Sequence, residues 1–291
     1  MLINILLTKN EGYKQKGYFC FMQFFKQLFR FYINASIHVA LAVYALVRIT
    51  EMYFDLPYNE SLDYFIFYGT ITGYNFVKYA GVAKLHHRSL TNNLKIIQLF
   101  SLACFVLLCY YSWQLSFKTL LFLLPLVLLT LLYAVPFLSG FQKNLRNISH
   151  LKIIVVALVW AGFTVLLPLF DYGKTFSSDV YLMAVQRFLL VVVLMLPFEI
   201  RDLQFDAISL QTIPQKIGVE RTKKLGYILL GFCLVLEFII TPNTDFRTSF
   251  LILFSLILIL LMRAAENQSK YYSSFFVEAV PIIWWVILLI A

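Results

Sequence analysis

Residues 153–170 read IIVVALVWAGFTVLLPLF, 18 positions without a charge. At about 1.5 Å of rise per helical residue this run covers about 27 Å, close to the ~30 Å hydrocarbon core of a bilayer. Backbone N–H and C=O groups have no water there, so each must be satisfied within its own helix. A second run, TLLFLLPLVLLTLLYAVPFLSG at 119–140, says the same directly after Lys118. The composition agrees, with 61% apolar, 18% aromatic and 13% charged residues among 291. Ordinary soluble domains carry about 25% charged residues, and this much apolar surface has nowhere to hide in water. The fold class is all-α, a polytopic bundle of membrane helices.

Working outward with hydropathy and breakers, spans are predicted near 31–50, 62–83, 95–113, 118–138, 151–170, 179–200, 224–241, 248–263 and 275–290, about nine in all. Short polar turns at 114–118 and 241–247 predict tight helical hairpins. Residues 1–30 form an N-terminal segment, in which 18–30 (YFCFMQFFKQLFR) read equally as an interfacial helix or a plain helix extension with basic anchors. Residues 31–291 read as a single domain. The apolar patch at 1–7 lacks a basic leader and a small-residue cleavage site, so no removable signal is expected there.

The net charge of +9 is distributed at span ends, not gathered into an arm or stripe, which argues against nucleic acid and for topology. Alternating the loops puts 19 of the 24 Lys and Arg on one side, with the N-terminus; the other side keeps Arg48, Lys118, Lys174 and Arg247. The positive-inside bias makes the basic side cytoplasmic and leaves the C-terminus outside. Cys20, Cys104, Cys109 and Cys233 lie in or beside apolar runs without CxxC spacing, as buried thiols do.

The sixth span runs into LPFEIRDLQFDAISLQTIPQKIGVERTKKLGY, residues 196–227. It places Glu199, Arg201, Asp202 and Asp206 at one mouth. On a continuous helix Asp202 and Asp206, at i and i+4, share a face and can share a hard divalent cation. A solvated helix end beside basic loops would look the same on spacing alone.

This stretch resembles the second aspartate motif of the UbiA superfamily of intramembrane prenyltransferases, in Asp202, Asp206, Thr212, Ile213, Pro214 and Gly218. It runs one residue short, with Leu210 near the usual Gly. The nine-span plan extends the resemblance across the chain. The resemblance implies an isoprenyl diphosphate held through Mg2+ by two aspartate motifs, a prenyl tail in a lipid-facing tunnel, and transfer to a lipophilic, often aromatic, acceptor. On that basis Asp202 and Asp206 are the catalytic metal ligands, assisted by Glu199.

The first motif departs from the family. In GYNFVKYAGVAKLHHRSL at 73–90, Asn75 matches, but the three aspartate positions hold Phe76, Tyr79 and Ala83. Lys78, Lys84, His86, His87 and Arg88 occupy the loop instead. Either these cations neutralise diphosphate oxygens in place of one Mg2+, or they are ordinary anchors at a decayed, non-catalytic isoprenoid-binding site. The expected diphosphate-binding set is Asn75, Lys78, Lys84 and Arg88 with Lys143 and Arg146 of the next basic loop, where Tyr133 and Lys152 are further candidates. Inside spans, Asn34 and His38 share a face at i and i+4, and Gln186 with Arg187 interrupts the sixth span; intramembrane polar groups are costly and mark sites or buried pairs. A transporter reading is disfavoured, because no repeat and no paired broken helices are visible.

Overall fold

The computed structural model describes residues 22–85, 92–134, 151–205, 211–241 and 243–291. Among them there are helices and turns and no strand. The helices are α1 (Met22–Asn34), α2 (Ile37–Tyr53), α3 (Glu60–Leu85), α4 (Asn92–Gln114), α5 (Phe117–Ala134), α6 (Leu151–Asp171), α7 (Ser178–Asp202), α8 (Ile213–Ile217), α9 (Val219–Ile240), α10 (Thr244–Arg263) and α11 (Tyr272–Ile290). Every expected span overlaps one of them. Five are long and apolar enough to cross a membrane, α4, α6, α7, α10 and α11, and a sixth span follows if α1 and α2, bent by 56°, count as one. The protein is an integral membrane helix bundle.

The helices form a closed ring. α2 packs on α3, α3 on α5, α5 on α6, α6 on α7, α7 on α9, α9 on α10, α10 on α11, and α11 returns to α2, with α4 outside against α3. The central helices α6 and α7 bury their apolar sides, whereas α4 and α5 turn theirs outward, Trp113 being 92% exposed toward what would be lipid. Two glycines permit close approach. A Cβ on Gly226 would lie 2.4 Å from Leu261 and 2.8 Å from Leu196, and one on Gly162 would lie 2.6 Å from Leu126. Gly162 also opens a π turn over Gly162–Leu166, and a second π turn, Tyr272–Val277, begins α11.

The bend between α1 and α2 is centred on Ser36, which has φ 62°, a left-handed conformation uncommon for a residue with a side chain. Asn75 braces it. Ser36 Oγ donates to Asn75 Oδ1 at 2.8 Å, and Asn75 Nδ2 donates to Ala35 O at 3.0 Å and to Ser101 Oγ at 2.8 Å. The stretch Thr212–Gly218 is a short capped helix. Thr212 N donates to Gln215 Oε1 at 3.0 Å, Pro214 stands in the first turn, and Gly218 closes it at φ 81°.

Candidate functional site

The ring surrounds a cavity of about 910 Å³. Its length is apolar, lined by Val43, Phe65, Ile66, Phe105, Leu108, Val127, Val159, Trp160, Phe163, Val191 and Leu194 among others. One end is charged. Lys78 from α3, Lys152 from the start of α6, Arg201 and Asp202 from the end of α7, and Lys270 and Glu278 from the approach to and the first turns of α11 all line it. Four cations against two carboxylates leave that end positive, and a positive pocket with apolar walls suits an anionic head on a hydrocarbon tail.

Local structure places each group. Arg201 holds its neighbour, with Nε and Nη2 at 2.8 and 2.7 Å from Asp202 Oδ1. Lys152 Nζ lies between two carboxylates, 2.8 Å from Glu199 Oε1 and 3.8 Å from Asp202 Oδ2. Lys78 Nζ donates to Ser36 Oγ at 2.8 Å, so the strained bend and its Asn75 brace orient this lysine. Gln268 Nε2 donates to Pro197 O at 2.7 Å, which clamps the segment carrying Lys270 onto the last turns of α7. Tyr79 lines the same end and donates to Asn34 O at 3.0 Å.

The expected site residues therefore fall into three groups. Asp202 and Lys78 reach the cavity together, joined by Lys152 and Tyr133. Glu199 is buried behind them on Lys152, and Asn75 stands outside the lining as support. Asp206, His86, His87, Arg88, Lys143 and Arg146 lie outside the described residues, as does the side chain of Lys84 at the end of α3. α7 ends at Asp202, where Phe205 N donates to Asp202 O at 2.9 Å, so the continuous helix supposed for the Asp202 and Asp206 pair stops at its first member.

Among the described residues no three His, Cys, Asp or Glu side chains converge as a metal-binding group. Mg2+ needs less, because it commonly takes one or two carboxylates and completes its shell with waters and substrate phosphates. Asp202, at the cavity wall with a partly exposed side chain, fits one such ion; the first-motif positions Phe76 and Tyr79 offer no carboxylate for a second.

His38 is accounted for structurally. Its Nδ1 shares a hydrogen bond with Tyr32 Oη at 2.8 Å, its Nε2 with Phe275 O at 2.9 Å, and its ring stacks on Phe275 with centroids 5.0 Å apart. Read from sequence, Lys270 counts only among the basic loop residues, and Glu278 is not singled out. The available signal for Glu278 was a lone carboxylate inside a predicted span, as costly there as the groups that were noticed.

The fold and cavity together define a class, integral membrane helix bundles that enclose an amphipathic chamber with a cationic end. Within that class the fold is that of the UbiA homologues. A UbiA homologue from Aeropyrum pernix K1 matches with a TM-score of 0.65 at 13% identity over 87% of this chain and 98% of its own. A homologue from Archaeoglobus fulgidus bound to GPP and Mg2+ matches at 0.55 and 15%, over 91% and 97%. A digeranylgeranylglyceryl phosphate synthase structure matches at 0.53 and 14%, over 91% and 96%. No protein-family model and no curated protein sequence matches the chain.

Proposed function

We propose that the protein is an intramembrane prenyltransferase that moves an isoprenyl group from an isoprenyl diphosphate to a lipophilic acceptor, an aromatic ring being one suitable class. The observation that carries this reading is the cavity, charged at one end and apolar along its length. The diphosphate sits among Lys78, Lys152, Arg201 and Lys270, which offset its charge directly. The isoprenyl tail follows the apolar walls. GPP and Mg2+ in a structure of the same fold support the substrate class and the metal. Asp202, with Asp206, would hold a single Mg2+, whose contribution when bound is to neutralise charge on the departing diphosphate. Lys78 and Lys270 take over at the wall where the first aspartate motif is missing. The charged end faces the cytoplasm, in keeping with the Lys and Arg asymmetry of the loops.

A second reading, a non-catalytic isoprenoid-binding relative, draws on Phe76, Tyr79 and Ala83 at the first-motif positions and on the capture of Glu199 by Lys152. Turnover separates the two. Purified full-length protein is given radiolabelled geranyl, farnesyl or longer diphosphates with Mg2+ and membrane lipid extract. Transfer that Asp202→Ala and Asp206→Ala abolish is the expected result. Binding without turnover in any combination would establish the carrier instead.

A further inference from the structure

Any substitution that joins an isoprenyl carbon to an acceptor X–H releases a proton, whatever the acceptor is. Resting on the transferase reading above, we infer that Glu278 receives it. The allylic C–O bond breaks and its electron pair leaves with the diphosphate. The acceptor's electron pair forms the new bond to the allylic carbon, and the acceptor proton passes to the Glu278 carboxylate and on to water or the released diphosphate.

The described residues lining the cavity include two carboxylates. Asp202 is held by Arg201 on Oδ1 and is the residue assigned above to Mg2+, which leaves Glu278 for the proton. Glu278 makes no hydrogen bond on its carboxylate and no ion pair with any described residue, while Lys78 and Arg201 line the same cavity. An acid group inside a membrane helix is expensive to keep, and one without a close partner points to use. The backbone aims it: the π turn at Tyr272–Val277 ends there, with Glu278 N donating to Ser273 O at 3.2 Å, and Ser274, Val277, Glu278 and Pro281 present one face to the cavity. Single π turns recur at functional sites because they re-aim a helix face. His38, whose imidazole could also take a proton, has both ring nitrogens engaged and does not line the cavity.

The test uses full-length protein in nanodiscs with radiolabelled geranyl diphosphate and membrane lipid extract, comparing wild type, Glu278→Gln and Glu278→Asp. Loss of the proton acceptor should lower kcat for transfer about 100-fold or more in Glu278→Gln. Diphosphate affinity should be unchanged or tighter, since a negative charge has left a cationic pocket, and Glu278→Asp should keep part of the rate. Transfer within about threefold of wild type in Glu278→Gln overturns the inference, as does a parallel loss of geranyl diphosphate affinity, which would mark Glu278 as a positioning charge. If Glu278→Gln does not fold, Glu278→Asp decides by the same split between rate and affinity. A wild type that binds and never transfers defeats the transferase reading itself, before any variant is compared, and this inference with it.

Discussion

Two clusters of charge among the described residues are built differently. At the Asp202 end, cations and carboxylates share a cavity, and one carboxylate has no close partner. The other cluster begins at Arg187, 15 residues earlier on α7 or about 22 Å away, and lines no part of the cavity. There Arg187 donates to Leu46 O at 3.0 Å and to Thr50 Oγ1 at 3.4 Å, with Trp284 over its guanidinium at 5.6 Å. Glu237 accepts from Tyr53 Oη and, at 2.7 Å, from Gln186 Nε2. Arg48 pairs with Glu51 and lies 3.4 Å from Asp63, while Asn59 and Thr119 both donate to Asp171. Beyond the last turn of α6, burial and the carboxylates of Glu51, Asp63 and Asp171 push the Tyr172 hydroxyl up to about 12. The Arg187 cluster fastens helices to one another, whereas the Asp202 cluster holds its charges ready for something that enters. Charge inside a membrane protein is thus no mark of a site until its partners are counted.

That contrast can be broken by substitution. Arg187→Met should be the most damaging change, costing about 3–5 kcal/mol because it leaves buried partners of a charge unanswered; thermal unfolding in detergent should show it, and an unshifted transition would undo the fastening role. Glu237→Gln keeps one acceptor oxygen and should cost about 1–3 kcal/mol in the same assay. Lys78→Met should leave unfolding nearly unmoved and weaken geranyl diphosphate binding about tenfold, or about 1.4 kcal/mol, since it removes one of several cations. Asp202→Asn should also be mild for stability, within about 1 kcal/mol, because its ion pairs are partly exposed. It should nevertheless stop transfer. If Asp202→Asn destabilised the protein as much as Arg187→Met, the two clusters would be alike.

Hydropathy located the helices well, since a bilayer demands long apolar runs and each expected span meets one. The family resemblance singled out Asp202, which lines the cavity, and a Thr212–Gly218 motif segment, which forms a short capped helix, because both features are local. What sequence could not supply was partnership across the ring. Lys152 was legible as a basic anchor, but its position between Glu199 and Asp202 depends on α6 meeting α7. Lys78 stands on Ser36, and Glu278 faces Lys78 from the opposite end of the chain; no periodicity encodes such neighbours. The expected role of Asn75 as a ligand illustrates the same limit, since its residue type fits a site while its contacts brace the bend.

The closure of the ring has a consequence for biosynthesis. α11 completes the chamber by packing on α2, and His38 meets Phe275 across 237 residues. At about 5–20 residues per second, translation separates those partners by roughly 10–50 s. During that interval the side of α2 that carries His38 stands in the membrane without α11, its neighbour in the closed ring.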